Sequence, residues 1–229
     1  MVTGRDNGSV RNTINGGVFL NTVVQGRDIT VQLPPAVPTA LGALPSASPA
    51  FTGRSRELET LLSLLDPTAQ TAAVAVCAVA GLAGVGKTEL AIQAARTALS
   101  RGWFPGGVLF VNMHGYDNAR RVDSSAAILG LLQALGVRNE HIPAESHDRA
   151  RLYHSVLSTY GEQNRSILLL VDNVRSAEDV RPLLPVDGAT RAVVTSRHTL
   201  ATLDARLLEL NVLSQQAAVD NHVGAGQSH

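Results

Sequence analysis

The sequence predicts an α/β protein in which a parallel sheet is buried between helices, and three observations carry that expectation. The first is the glycine-rich stretch Gly81 to Thr88 (Gly-Leu-Ala-Gly-Val-Gly-Lys-Thr), which follows an apolar run of strand length, Ala72 to Ala80, and precedes a helical pattern from Glu89 to Ser100. The second is a run of apolar residues, Ile167 to Val171, that ends in Asp172 and Asn173. The third is composition: 45% hydrophobic residues with only 3% aromatic give a core of Ala, Val and Leu, which suits strands covered on both faces.

The loop fits the phosphate-binding pattern G-x-x-x-x-G-K-[ST] at every fixed position. Backbone N–H groups can surround a polyphosphate only where the chain turns tightly without a Cβ in the way, which Gly81, Gly84 and Gly86 permit. The following helix points its positive end at the same place. In this reading Val85, Gly86, Lys87, Thr88 and Glu89 complete the cofactor-binding stretch. Lys87 would reach the β and γ phosphates of ATP, and the Thr88 hydroxyl would enter the shell of a Mg2+ ion.

Upstream, residues 1–33 show no helix period. Asn12, Asn15, Asn21 and Gln25 alternate loosely with Ile14, Val18, Val23, Val24 and Ile29. Val18 to Gln25 is uncharged, β-prone and free of proline, the profile of a segment able to stack in register into cross-β. A hairpin packed on the main domain, or a disordered tail, is the alternative. Residues 34–50 contain Pro34, Pro35, Pro38, Pro45 and Pro49 and read as a semi-extended linker. Ser55 to Leu65 places Leu58, Leu61, Leu62 and Leu65 at helical spacing behind a possible Ser55 cap.

Beyond the phosphate loop, Trp103 to Gly107 makes a turn and Val108 to Met113 a second strand. Ser124 to Leu135 is a helix with a serine cap, and Ser146 to Gln163 another. Ile167 to Asn173 delivers Asp172 to the sheet edge where the phosphates would sit, as the carboxylate that holds Mg2+. Pro182 to Asp187 is a loop. Arg191 to Ser196 is a fourth strand, ending at Arg197, which would report on the γ-phosphate. Leu207 to Val212 is a short fifth strand, and residues 214–229 show no clear apolar period.

Charge and cysteine content narrow the function. Nineteen basic and nineteen acidic residues cancel, so no global basic field draws nucleic acid, and no stretch is long enough to span a membrane. Cys77, the single cysteine, reads as a buried small hydrophobe, and a reducing cytoplasm is expected. His114, His141, His147 and His154 have no metal-ligand spacing and read as surface residues.

With the loop, Asp172 and Thr195-Ser196-Arg197 in order, the chain from Phe51 to about Asp220 resembles the nucleotide-binding core of STAND-class NTPases of the NB-ARC type, found in NLR receptors and many bacterial regulators. The resemblance implies a parallel sheet of order 5-1-4-3-2 over residues 51–213. It implies Phe51 and Arg54 against adenine and ribose, Arg197 as the sensor, and catalytic roles for Lys87, Asp172 and Arg197. Many relatives carry a second acid after the aspartate; Asn173 stands there, so at most slow hydrolysis is expected. Relatives continue past the element here at Leu213-Ser214 into subdomains that clamp ADP, and the present C-terminal stretch reads as a truncation of that half.

Residues 12–29 resemble the short amyloid signalling motifs of some bacterial NLR-like proteins, which are similar to the RHIM core. Val24-Gln25-Gly26 lacks the residue usual between Gln and Gly. The resemblances together imply a switch binding ATP or ADP with Mg2+, a homo-oligomer, and an effector protein with a matching motif. The alternatives are an interaction protein acting through the N-terminal segment alone, and an NB-ARC fragment of a transcriptional regulator.

Overall fold

The computed structural model describes residues 44–46, 53–68, 76–186 and 188–211. Phe51, the N-terminal segment, most of the proline-rich linker and residues 212–229 lie outside these.

Among the described residues ten α-helices and strands follow one another: α1 Ser55–Leu65, β1 Val76–Gly81, α2 Lys87–Ser100, β2 Gly107–Asn112, α3 Ser124–Ala134, α4 Ser146–Glu162, β3 Ile167–Val174, α5 Ala177–Val180, β4 Arg191–Ser196 and β5 Arg206–Leu210. The five strands form one parallel sheet in the order β2-β3-β4-β1-β5, which is the expected order read from the other edge. β4 therefore lies between the strand that enters the phosphate loop and the strand that carries Asp172.

Side chains alternate across the sheet, and each face has its own core. On one face Leu109, Leu169, Val171 and Val194 pack with Ile128, Leu132, Tyr153 and Leu157 from α3 and α4. On the other, Cys77, Val79, Leu168, Leu170 and Val193 pack with Leu61 and Leu65 of α1 and Leu90, Ala91 and Ala94 of α2. Four alanines of α2, Ala91, Ala94, Ala95 and Ala98, are fully buried, so this helix sits close on the sheet. Burying each leucine contributes about 1.5–3 kcal/mol.

Several local expectations are corrected. α1 begins after Arg54 with no side-chain cap; instead the Arg54 guanidinium bonds to Glu57 one turn on. In α3 the cap is Asp123, whose carboxylate accepts the Ala126 N–H, because the serines lie already inside the helix. The loop from Pro182 contains order: the 3-10 turn Arg181–Leu183 follows α5 directly, and Leu183 is buried. His114 and His154 are half-buried rather than on the surface. No group of three or more metal-ligating side chains occurs among the described residues.

The strand ends matter most for the site. β3 pairs with β4 regularly up to Val171, and pairing resumes only at Val174 with Ser196. Asp172 and Asn173 step out of that ladder, and Asn173 takes a left-handed φ of 56°. Asparagine tolerates this conformation, and such a bulge re-aims the side chains beside it. Asp172 is thereby presented at the C-terminal edge of the sheet, the ligand side of open α/β folds.

Candidate functional site

Gly81, Asn112, Ser196 and Leu210 end their strands and Asp172 lies two residues before the end of β3, so the parallel sheet brings all five to one edge. Between β1 and α2 the phosphate loop turns through Gly84 at φ 78° and Gly86 at φ 88°. A Cβ on either would meet nothing within 4 Å, so conformation, not space, requires glycine there. Gly81 is different: a Cβ on it would run into the carbonyl oxygen of Leu210 on β5.

Lys87 opens α2 and is 7% exposed. Its ammonium donates to the carbonyl oxygens of Gly81 at 2.8 Å and Leu82 at 2.6 Å, folding the side chain back inside the loop. Burial, and then the nearby Arg197 guanidinium, push its pKa below the ordinary lysine value, with Asp172 opposing them. Phosphate oxygens would offer this cation charge-assisted bonds in place of those to two neutral carbonyls.

Thr88 donates its hydroxyl to Asp172 Oδ1 at 2.6 Å, and Thr195 of β4 donates to the same oxygen at 2.6 Å. Oδ2 accepts from Asn112 and from Asn173, each at 3.1 Å. With four donors the carboxylate is fully satisfied at 1% exposure. The backbone N–H of Asn173 closes the circuit on the Thr195 hydroxyl at 3.0 Å. Thr88 and Asp172 thus present adjacent oxygens, the hard donor set that Mg2+ takes together with phosphate and water. These residues fit the cation, which when bound would neutralise phosphate charge.

Arg197 follows β4 and lines a cleft at this edge with Gly81, Leu82, Thr199, Glu209 and Asn211. Lys87, Thr88, Asp172 and Arg197, predicted from separate stretches of sequence, therefore converge. Arg54 does not join them directly. It is 4% exposed and lies under the loop, donating to the carbonyl oxygens of Val85 at 2.9 Å and Asn211 at 2.7 Å. Glu89 turns along α2 to accept from Gln93 at 2.9 Å.

Asn112 and Tyr116 were not among the predicted site residues. Asn112 ends an apolar strand just as Asp172 does, a parallel that marks the same edge. Tyr116 sits in the loop after β2 and carries no local pattern pointing to its contacts.

The parallel sheet, the glycine loop closed on a lysine and the Thr88–Asp172 pair define a P-loop NTPase domain. The family model for the AAA ATPase domain matches residues 50–214, and the chain belongs to that family. The chain is 40% identical over 177 residues to "Regulatory protein AfsR" of Streptomyces griseus, and 39% identical over 181 residues to the protein of that name from Streptomyces coelicolor. Each match covers 77% of this chain and 17% of the relative, so the chain spans about a sixth of those proteins. Among solved structures, it is similar to the Aeropyrum pernix ORC2 protein (TM-score 0.55, 16% identity, 81% of this chain and 55% of that one). It is also similar to CDC6P from Pyrobaculum aerophilum (TM-score 0.54, 14% identity, 77% and 51%). At these identities the likeness is one of fold.

Among the described residues no helix is long and apolar enough to cross a membrane.

Proposed function

We propose that the chain is a nucleotide-dependent signalling switch of the NB-ARC, NLR-like type, which binds ATP or ADP with Mg2+ and turns over slowly. The observation that carries this reading is the convergence of Lys87, Thr88, Asp172 and Arg197 at one sheet edge, with the Thr88 hydroxyl already on the Asp172 carboxylate. Asn173 supports slow turnover, since its amide is a donor to Asp172 and cannot accept a proton from water. Lys87 and the loop N–H groups would hold phosphates, Thr88 and Asp172 the cation, and Arg197 would distinguish ATP from ADP.

Nucleotide-driven oligomerisation would then cluster residues 12–30, raise their local concentration and favour cross-β templating of an effector with a matching motif. The direct test is the size of the full chain by light scattering, with thioflavin fluorescence, in Mg2+-ATP, in Mg2+-ADP and without nucleotide. Larger assemblies and earlier fluorescence in one nucleotide state support the switch. Identical behaviour in all three would overturn it.

A second reading, the nucleotide-binding module of a regulatory protein without an amyloid output, is favoured by the 40% identity to a protein named as regulatory. Nucleotide-dependent size without fluorescence would select it.

A further inference from the structure

Resting on the reading of this edge as a nucleotide site, we infer that Tyr116 is a positioning residue that fixes Arg197 toward the phosphate loop, so that discrimination between ATP and ADP depends on it.

The contacts of the Tyr116 hydroxyl carry the argument. It accepts the backbone N–H of Arg197 at 2.9 Å and lies 3.0 Å from the Val174 carbonyl oxygen and 3.2 Å from Ser196 Oγ. A phenol has one proton and two acceptor sites. Its proton therefore goes to Val174, and its oxygen takes the Arg197 N–H and the Ser196 hydroxyl, which uses its full capacity. Ser196 Oγ in turn accepts the N–H of His198 at 3.1 Å. Above the same ring lies the Arg197 guanidinium, 4.2 Å from the centroid, within the range of a cation–π contact. One side chain thus holds both the backbone and the charged head of Arg197.

The ring is itself fixed. Met113 donates its N–H to the Asp172 carbonyl and Gly115 to that of Asn173, each at 2.9 Å. A Cβ on Gly115 would stand 2.6 Å from the Asn173 carbonyl oxygen and 2.7 Å from the Arg175 nitrogen, so the loop lies tight on the end of β3. Asn112, where that loop begins, donates to Asp172 Oδ2. A single loop therefore touches the carboxylate that would hold the cation and the arginine that would read the γ-phosphate. An exposed arginine on a free loop would lose more side-chain entropy on meeting a phosphate than one already stacked and anchored.

The test is the ratio of ADP to ATP-analogue dissociation constants, measured with a non-hydrolysable analogue and Mg2+ for the full wild-type chain. Beside it stand Arg197→Ala, Tyr116→Ala, Tyr116→Phe and the Tyr116→Ala/Arg197→Ala double variant. Arg197→Ala should lower the preference for the triphosphate about tenfold, the scale of one charge-assisted hydrogen bond. Tyr116→Ala should lower it similarly with ADP affinity unchanged, and the double variant should lose no more than either alone. Tyr116→Phe, which keeps the ring, should restore part of the loss. A Tyr116→Ala chain that keeps the wild-type ratio, or weakens ADP and analogue equally, would overturn the inference. So would an Arg197→Ala chain with an unchanged ratio, which leaves the phosphate-site reading standing. Absence of any nucleotide binding by the wild type would overturn that reading, and the inference with it.

Discussion

Thr88 and Asp172 stand 84 positions apart in sequence, yet the threonine hydroxyl donates to the carboxylate at 2.6 Å. The start of α2 and the end of β3 are thereby joined where a cation would enter. Thr195, Asn112 and Asn173 donate to the remaining sites of the same carboxylate.

Because Asp172 accepts from four donors, Asp172→Asn removes two of its acceptor sites: an NH2 facing Asn112 and Asn173 opposes their amide N–H groups, and one facing Thr88 and Thr195 makes both hydroxyls give up their bonds to it. Buried donors left without acceptors cost about 1–3 kcal/mol. For a domain of this size each kcal/mol corresponds to about 2–4 °C in Tm. The variant should melt several degrees below wild type by calorimetry and should lose the Mg2+ dependence of its nucleotide affinity.

Arg54 is expected to act on the loop from below. Its guanidinium ties Val85, Asn211 and Glu57 together at 4% exposure, so Arg54→Ala leaves two carbonyl oxygens without their donor. Urea unfolding should show a loss of about 1–3 kcal/mol. Arg54→Lys, lacking the fork of N–H groups, should recover only part of it.

Two glycine substitutions should move stability in opposite directions. Gly81→Ala drives a Cβ into the Leu210 carbonyl at a φ of 151°, and is expected to loosen β5 and lower Tm. Gly130→Ala sits on the exposed side of α3 with nothing within 4 Å, and should gain up to about 1 kcal/mol of helix propensity. Thermal melts of the two variants beside wild type check both.

Cys77 links stability to alkaline pH. Burial lifts its thiol from 9.0 to about 12, with Arg191 pulling the other way. The folded pKa lies above the unfolded one, so the contribution of the neutral thiol is complete below about 9 and is lost as pH climbs toward 12. Cys77→Ala should therefore lose less stability than wild type between neutral and strongly alkaline pH, as read from urea midpoints. The native chain should also resist thiol reagents until it unfolds, since Cys77 is fully buried.

What was legible in the sequence was what local chemistry signals. The glycine loop, the apolar strand ending in Asp172 and the strand ending before Arg197 could be placed because each announces its position within a few residues. The sheet order followed only from a family resemblance, because strand neighbours are set by packing between distant segments. Helix starts were misread where two cap-forming residues stood side by side, as at Asp123 and Ser124, or where a buried guanidinium replaced a cap, as at Arg54. Tyr116 was invisible because its partners lie 58 to 81 positions away and nothing in its own neighbourhood encodes them.

The proposed switch requires Lys87 to exchange the carbonyl oxygens of Gly81 and Leu82 for phosphate. Calorimetric titration of the full chain with ATP and ADP, with and without Mg2+ and beside Lys87→Ala, tests this most directly. Saturable, Mg2+-dependent binding by wild type that is lost in Lys87→Ala is the predicted result. A Lys87→Ala chain that binds ATP as tightly as wild type would contradict it.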